Sequence, residues 1–312
     1  MRIALQTEIP GLIDQLQCLA PGIEAFVLPS PDESGERRVV ADVLLGTAAG
    51  GTRLPALIER CEGLRWVHIL GTGVDKFPLH LVDDKLVTCS RGATAGPIAE
   101  WVMAMLLAHE KQLPDRWITE PPQAWYMADL GCLENKTLGI IGFGTIGQAI
   151  AKRALAFDMN IIAKVRTHRT STTPGVELVE DLHTLLARSD HLVLALPSTA
   201  QSDGLMGIQS MAAMKPGAHL VNVSRANLVD QEALRESLEK GHIARASLDV
   251  VAPEPLPAGH WIYQHPRVFL SPHISWSGPN MVERLTAPFL ANVLAFSNNQ
   301  PLQGIVDTAA GY

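Results

Sequence analysis

The sequence of 312 residues predicts an α/β protein built as two units, each a parallel sheet with helices on both faces. Three observations carry that expectation. Short apolar runs alternate with amphipathic stretches along the chain, the pattern of strand–helix–strand crossovers. The length accommodates two domains at roughly 150 residues each. The alternation also runs as two series, one ending near residue 98 and one starting at Thr137, and a long helix-like segment follows each.

In the first series the expected strands are Ile3–Leu5, Val40–Leu45, Trp66–Leu70 and Leu86–Cys89, with helix-like stretches such as Leu54–Cys61 between them. The run PIAEWVMAMLLAHEKQL, 97–113, reads as a long apolar helix opened by Pro97, whose missing N–H costs nothing in a first turn. Pro114–Pro122 is a polar, proline-containing connector. In the second series the strands are Thr137–Ile141, Asn160–Val165, His191–Leu196, His219–Val223, Ala244–Val250 and Val268–Leu270. Helices fit at Ile146–Phe157, Asp181–Ala187, Ile208–Met214 and Gln231–Lys240, and a last long one at Asn280–Ser297. Boundaries near 98 and 282 make residues 1–98 and 283–312 one discontinuous domain and 99–282 another, with the two long helices between them.

Composition narrows the function classes. With 25 basic and 32 acidic residues the net charge is −7, which offers no general field for nucleic acid. Hydrophobic residues at 47% and charged residues at 18% are globular, not disordered, values. Cys18, Cys61, Cys89 and Cys132 form no CxxC pair, so neither a metal site nor a disulfide framework is indicated. The start MRIALQTEIPG lacks a secretory core, and no apolar run approaches the ~20 residues of a membrane helix. A soluble, reduced, cytoplasmic protein is expected, with no nucleic-acid or membrane partner.

The segment LGIIGFGTIGQAI, 138–150, places Gly142-Phe143-Gly144-Thr145-Ile146-Gly147 directly after an apolar strand and directly before a helix. In that context GxGxxG is a dinucleotide fingerprint. Gly142 permits the tight turn, Gly144 lets a pyrophosphate approach the backbone, and Gly147 lets the helix pack against the strand. The helix N-terminus then offers N–H groups and a positive dipole end to the phosphates. About twenty residues on, a carboxylate would grip the ribose 2′-hydroxyl of NAD. Here the strand runs instead into Arg166-Thr167-His168-Arg169. Guanidinium groups hold a 2′-phosphate through paired charge-assisted hydrogen bonds, so the expected cofactor is NADP(H), with NAD(H) weaker.

Ligands of open α/β sheets bind beyond the carboxyl ends of strands. In HLVNVSRANLVDQEAL, 219–234, Arg225 follows a strand end and Asp230 is placed to cap the next helix. SLDVVAPEPLP, 247–257, brings Asp249 and Glu254 to the same edge, and FLSPHISW, 269–276, brings His273. Arg225 can bind a carboxylate bidentately and polarise an adjacent ketone. Glu254 can hold one ring nitrogen of His273 and stabilise the imidazolium, and His273 can then give a proton to the ketone oxygen as hydride reaches carbon.

GFGTIG, NVSRANLVD, LDVVAPEPLP and SPHIS occur in an order and spacing that resemble the D-isomer-specific 2-hydroxyacid dehydrogenases. GTGVD at 71–75, the AEW helix at 99–101 and LPST at 196–199 extend the resemblance over nearly the whole chain. The basic RTHR turn and the terminal GY look most like the NADPH-preferring glyoxylate/hydroxypyruvate reductase branch. The resemblance implies two Rossmann-like/flavodoxin-like domains with the substrate in the cleft between them. It implies Arg225 as the activating arginine, Glu254 as the partner of the histidine and His273 as the acid/base. Asp249 matches the residue near the nicotinamide carboxamide. Leu196, Pro197 and Thr199, with Val223 and Ser224, match segments lining the cofactor. Leu70, Gly71, Thr72, Gly73 and Val74 match the loop whose N–H groups receive the substrate carboxylate. Members that look like this one form homodimers, mainly through the cofactor domain.

Some positions depart from the family pattern. Ala226 stands where many relatives have glycine, and Leu70 where a small polar residue is frequent. The expectation is a chain without the C-terminal regulatory module of some phosphoglycerate dehydrogenases. Trp276 either walls the substrate pocket or packs between domains. The expected activity is reduction of 2-keto acids to D-2-hydroxy acids. The alternatives are a dinucleotide-sensing corepressor-like protein, and phosphoglycerate, formate or phosphite oxidation on the same fold. The formate type carries Gln where this chain has Glu254.

Overall fold

A computed structural model describes residues 1–28, 38–48, 54–165, 171 and 173–312. They form two compact units, Met1–Thr94 with Gly278–Tyr312, and Ala95–Ser277. Both are α/β units with all-parallel sheets, as the apolar runs require.

In the first unit β1 (Arg2–Leu5), β2 (Glu24–Val27), β4 (Val43–Gly46), β6 (Trp66–Ile69) and β7 (Leu86–Cys89) pair in the order β2-β1-β4-β6-β7. That is the flavodoxin-like order of doubly wound sheets. The expected strand Val40–Leu45 is two pieces in different sheets: β3 (Val39–Val40) pairs with β5 (Cys61–Glu62), whereas β4 joins the main sheet. Asp42 makes the break. Its carboxylate accepts the Arg2 N–H at 2.7 Å and its carbonyl accepts the Arg65 N–H at 2.9 Å, so the chain turns to bridge β1 and β6. The helix Met281–Ser297 belongs to this unit and packs Phe289 on Trp66, with ring centroids 5.5 Å apart.

The second unit contains β8 (Thr137–Ile141), β9 (Asn160–Lys164), β10 (Val176–Val179), β11 (His191–Leu194), β12 (Ala218–Asn222), β13 (Ile243–Leu248) and β14 (Val268–Leu270). Their order is β10-β9-β8-β11-β12-β13-β14, with the reversal between β8 and β11 where such folds take a ligand. Residues alternate faces at period 2. Leu138, Ile140, Val193 and Val221 pack in the core with the helices Ala95–Glu110 and Thr145–Leu155. Ile141, Leu192, Leu194 and Leu220 pack with Leu185, Met211 and Leu234 from three helices of the other layer. Burial on both faces explains the unbroken apolar runs of the central strands. The edge strands β2 and β10 were not foreseen, because each pairs on one side only and carries a glutamate. Among the described residues no helix is long and apolar enough to cross a membrane.

Two polar clusters lie inside these cores. In the first unit His68 is fully buried, with Nδ1 2.8 Å from the Thr88 hydroxyl and Nε2 3.2 Å from that of Ser90. In the second, His191 and His219 sit near the amino ends of β11 and β12, with His109 stacked on His219 at 4.6 Å. Glu110 is the anion there: Lys136 Nζ lies 2.6 Å and His191 Nε2 3.0 Å from its Oε1. The His191 ring is turned so that this second approach lacks hydrogen-bond geometry.

Burial drives the His68 pKa from 6.5 down to about 3 and that of His109 down to about 4, and places His219 well below its ordinary value. Burial alone would raise Glu110, but the His191 and Lys136 contacts outweigh it and bring the carboxyl to about 2. Above pH 6.5 these imidazoles are neutral in both folded and unfolded chains. As pH falls below 6.5 the unfolded chain takes up protons that the folded imidazoles refuse, so stability declines. Glu110 acts in the same direction below 4.5. The melting temperature is therefore expected to hold from about pH 8 to 7 and to fall below about 6.5. His68→Gln, which keeps a donor and an acceptor, should make that fall shallower; an unchanged slope by circular dichroism melting would contradict it.

Candidate active site

β8 ends at Ile141, and the chain turns at Gly142 with φ 95°. A Cβ on Gly142 would stand 2.5 Å from the Ala195 carbonyl oxygen, and one on Gly147 would stand 2.3 Å from the Gly142 carbonyl oxygen. Both glycines are demanded by backbone packing. Gly144 is different: no heavy atom lies within 4 Å of its Cβ position, and it is the uncapped N-cap of the helix Thr145–Leu155. The exposed surface at Gly144 and Thr145 therefore presents first-turn N–H groups to whatever approaches, a cradle that fits a pyrophosphate. Phe143 buries its side chain in the core at 4% exposure, so only its main chain belongs to the loop surface. Arg166, Thr167, His168 and Arg169 lie outside the described residues.

The loop after β11 carries Leu196, Pro197 and Thr199. Ser202 shapes it, accepting the Thr199 N–H at 2.8 Å and donating to the Pro197 carbonyl at 3.0 Å. The Ser224 hydroxyl donates to the Leu196 carbonyl and ties the ends of β11 and β12 together. Val223 is in the core and Ser224 is 8% exposed.

Arg225 is positioned by Asn222, the last residue of β12. The Asn222 amide is fully buried: its Oδ1 accepts the Ser224 N–H at 3.0 Å and its Nδ2 donates to the Arg225 carbonyl at 2.9 Å. Arg225 is half-buried, and its Nη1 donates to the Ser224 carbonyl at 2.8 Å. Asp230 accepts the N–H groups of Glu232 and Ala233, both at 3.0 Å, and caps the helix Gln231–Glu239 as expected.

Beyond β13, Glu254 accepts the Val251 N–H at 3.2 Å through Oε1, and its Oε2 lies 3.1 Å from His273 Nδ1. The pair is partly open, with side chains 32% and 42% exposed. His273 has φ 55° in the left-handed region, which is uncommon for a residue with a Cβ. Trp276 Nε1 donates to the His273 carbonyl at 2.8 Å. Asp249, expected beside a carboxamide, is 1% exposed, and both its oxygens accept from the 271–275 segment.

In the first unit Leu70 donates its N–H to Gly46 at 2.7 Å, and Gly71, with φ 128°, accepts from the Ser90 N–H at 2.9 Å. Thr72 and Gly73 are half-exposed, and the Val74 side chain is buried in that unit's core. Only main-chain groups at Val74 can serve a ligand.

Thus β12, β13 and β14, neighbours in one parallel sheet, deliver Arg225, Glu254 and His273 at one edge, and the latter two touch. Sequence reasoning missed Asn222, Ser202 and Ser271. Asn222 resembles one more strand residue, and only its place as a polar residue ending a buried run marks it.

The family model described as "D-isomer specific 2-hydroxyacid dehydrogenase, NAD binding domain" matches residues 103–275. The glyoxylate/hydroxypyruvate reductase B of Pectobacterium atrosepticum is 31% identical over 86% of each chain. The D-3-phosphoglycerate dehydrogenase of Methanocaldococcus jannaschii is 35% identical over 69% of this chain and 42% of its own. Among solved structures, the NADPH-dependent glyoxylate/hydroxypyruvate reductase of Sinorhizobium meliloti, crystallised with NADP and sulfate, superposes with a TM-score of 0.83 at 26% identity. That match covers 100% of this chain and 99% of the other.

The glycine geometry separates two substitutions. Gly147→Ala should destabilise the fold by about 1–3 kcal/mol of overpacking, read as a lowered melting temperature. Gly144→Ala should leave melting unchanged and weaken dinucleotide binding instead, read by quenching of protein fluorescence on titration. Equal loss of stability in both would contradict the assignment.

Proposed function

Since this chain belongs to the D-isomer-specific 2-hydroxyacid dehydrogenase family, we propose that it reduces small 2-keto acids to D-2-hydroxy acids with NADPH. The observation that carries the reading is the His273 Nδ1–Glu254 Oε2 contact at the carboxyl edge that also bears Arg225. The Gly144 cradle and the helix behind it hold the pyrophosphate. The bound nicotinamide supplies the hydride.

The chain's own residues do the rest. Arg225 receives the substrate carboxylate in a bidentate pair and leans positive charge on the adjacent carbonyl oxygen. With Nδ1 facing the Glu254 carboxylate, Nε2 of His273 is the nitrogen that gives its proton to the oxygen as carbon becomes tetrahedral. The two-electron reduction then closes with one hydride on carbon and one proton on oxygen, and the imidazole is re-protonated from solvent. Glyoxylate and hydroxypyruvate are the first substrates to try, on the likeness to the reductases above. Arg166 and Arg169 make the 2′-phosphate clamp. The four cysteines, all free thiols, suit a reducing, cytoplasmic compartment.

A second observation supports assembly as a homodimer. Residues 111–131 leave the helix Ala95–Glu110 as an arm closed at its neck: Gln112 Nε2 donates to the Asp129 carbonyl at 3.0 Å, and Lys111 Nζ to that of Gly131 at 2.8 Å. Its outer part exposes Trp117, Ile118, Trp125, Tyr126 and Met127, with Tyr126 at 97%. Beside it, on the same unit, an apolar groove of 260 Å³ is lined by Trp101, Met105, Ala108, Phe269 and Leu270. So much exposed aromatic surface marks an interface. An arm and a groove side by side are complementary under a two-fold axis, each arm entering the partner's groove, which closes a homodimer through the cofactor domain.

Loss of absorbance at the NADPH band with glyoxylate or hydroxypyruvate tests the activity. His273→Ala and Arg225→Ala should each lower kcat/KM by about 10³-fold or more with the fold intact. Arg166→Ala combined with Arg169→Ala should raise KM for NADPH far more than for NADH. Undiminished turnover in His273→Ala would end the reading. For assembly, light scattering should give twice the chain mass for the parent and the single mass for Trp125→Glu with Tyr126→Glu; a monomeric parent would overturn the dimer.

A further inference from the structure

We infer that a buried hydrogen-bonded chain, Trp66–Thr88–His68–Ser90, positions the Gly71–Val74 loop and so sets how tightly the substrate carboxylate is held. This rests on the reduction proposed above, with the main chain of that loop among the receivers of the carboxylate. Side chains alternate faces at period 2, so Trp66 and His68 of β6 share one face of the sheet with Thr88 of β7 and with Ser90 just past its end. The helix Met281–Ser297 covers that face, with Phe289 against both Trp66 and His68. All four members of the chain are 0% exposed, so none reaches solvent or a ligand itself.

The donors and acceptors run one way. The Trp66 indole N–H can only donate, and it gives to the Thr88 hydroxyl at 2.8 Å. At the other end the Ser90 hydroxyl gives its single hydrogen to the Leu285 carbonyl at 2.7 Å. Ser90 Oγ, 3.2 Å from His68 Nε2, therefore accepts there, which puts the ring hydrogen on Nε2. Nδ1 is left to accept from the Thr88 hydroxyl at 2.8 Å. Burial holds the His68 pKa at about 3, so the ring is a neutral link in a single tautomer.

The far end of this chain meets the loop. The Ser90 N–H donates to the carbonyls of Ile69 at 3.2 Å and Gly71 at 2.9 Å, on either side of Leu70. Packing does not hold Gly71: its φ is 128°, and no heavy atom lies within 4 Å of its Cβ position. Fixing the Gly71 carbonyl fixes the plane of the next peptide, in which the Thr72 N–H is trans and points away from Ser90. The N–H groups of Thr72, Gly73 and Val74 have no hydrogen-bond partner among the described residues, and Thr72 and Gly73 are half-exposed. The Ser90 side chain, pinned between His68 and Leu285, keeps its own N–H aimed and thereby keeps those groups turned outward.

The test is made on the whole chain with NADPH and glyoxylate, using Ser90→Ala, His68→Leu and His68→Gln. The first two break the hydrogen-bonded chain, and the third keeps an acceptor and a donor on one side chain. Ser90→Ala and His68→Leu should each raise KM for glyoxylate about tenfold, the loss expected of one misaligned hydrogen bond to a charged group. Their kcat should stay within about threefold, because the loop grips substrate and transition state alike. The NADPH dissociation constant by fluorescence should stay within about twofold. His68→Gln should recover most of the lost KM. In ¹⁵N spectra the His68 ring, assigned by its loss in His68→Gln, should carry hydrogen at Nε2 alone, and the Thr72 amide resonance should shift in Ser90→Ala. A lowered melting temperature with KM unchanged would make the chain merely structural and overturn the inference. A ring protonated at Nδ1 would overturn the chain itself. If His68→Leu does not fold, Ser90→Ala decides by the same split. A parent that reduces no 2-keto acid would sink the functional reading and the substrate role with it, whereas a shifted Thr72 amide in that case would still keep the brace on the loop.

Discussion

Parallel pairing of β12 with β13 and of β13 with β14 sets what can meet in the candidate active site. The last rungs align Asn222 with Leu248 and Leu248 with Leu270, so three loops leave one edge from nearly one level. Arg225 lies three residues past its rung, Asp249 one, and His273 three. Side chains of such short excursions stay near the edge. A register slip of one residue in β14 would exchange its two faces and move His273 along the strand axis by about 3.3 Å, beyond contact with Glu254. Sheet register therefore decides whether His273 can reach Glu254.

Histidine shows how the same side chain is put to opposite uses at the two ends of that sheet. At the amino ends His109 and His219 are packed against each other and against His191, and burial keeps His109 and His219 neutral at physiological pH. They fill space, and His219 also has its Nε2 2.9 Å from the Ser247 hydroxyl. At the carboxyl ends His273 is partly open and faces a carboxylate. A proton donor needs both a partner for its charged form and a path to solvent, and only the second position offers them.

The readable part of the sequence was where one residue type answers one local demand. Gly142 and Gly147 are forced by approaches of 2.5 and 2.3 Å, and central strands are forced to be apolar by burial on both faces. Glu24–Val27 and Val176–Val179 escaped notice because an edge strand has one paired side and tolerates charge. Val40–Leu45 looked continuous because nothing local says that Asp42 will accept the Arg2 N–H, forty residues away. The bond from the Ser275 N–H to Asp249 is illegible for the same reason: the two residues meet only after β13 and β14 have paired. Side chain-to-backbone bonds across long sequence distances leave no periodic trace.

Glutamate at position 254 bears on the rival readings. Oε1 is fixed by the Val251 N–H, so Oε2 is turned to the ring with its lone pairs free to accept. A carboxylate has no hydrogen to give, which makes Nδ1 the donor in both charge states of the imidazole and leaves Nε2 as the nitrogen that changes protonation. An amide at 254 would present either oxygen or N–H₂ to Nδ1 and would not impose that choice. Formate-type chemistry moves a hydride with no substrate oxygen to protonate, and a purely sensing protein moves neither. Both can do without a nitrogen dedicated to proton transfer, whereas reduction of a ketone cannot, and the contact between Glu254 and His273 favours that proposal over the other two.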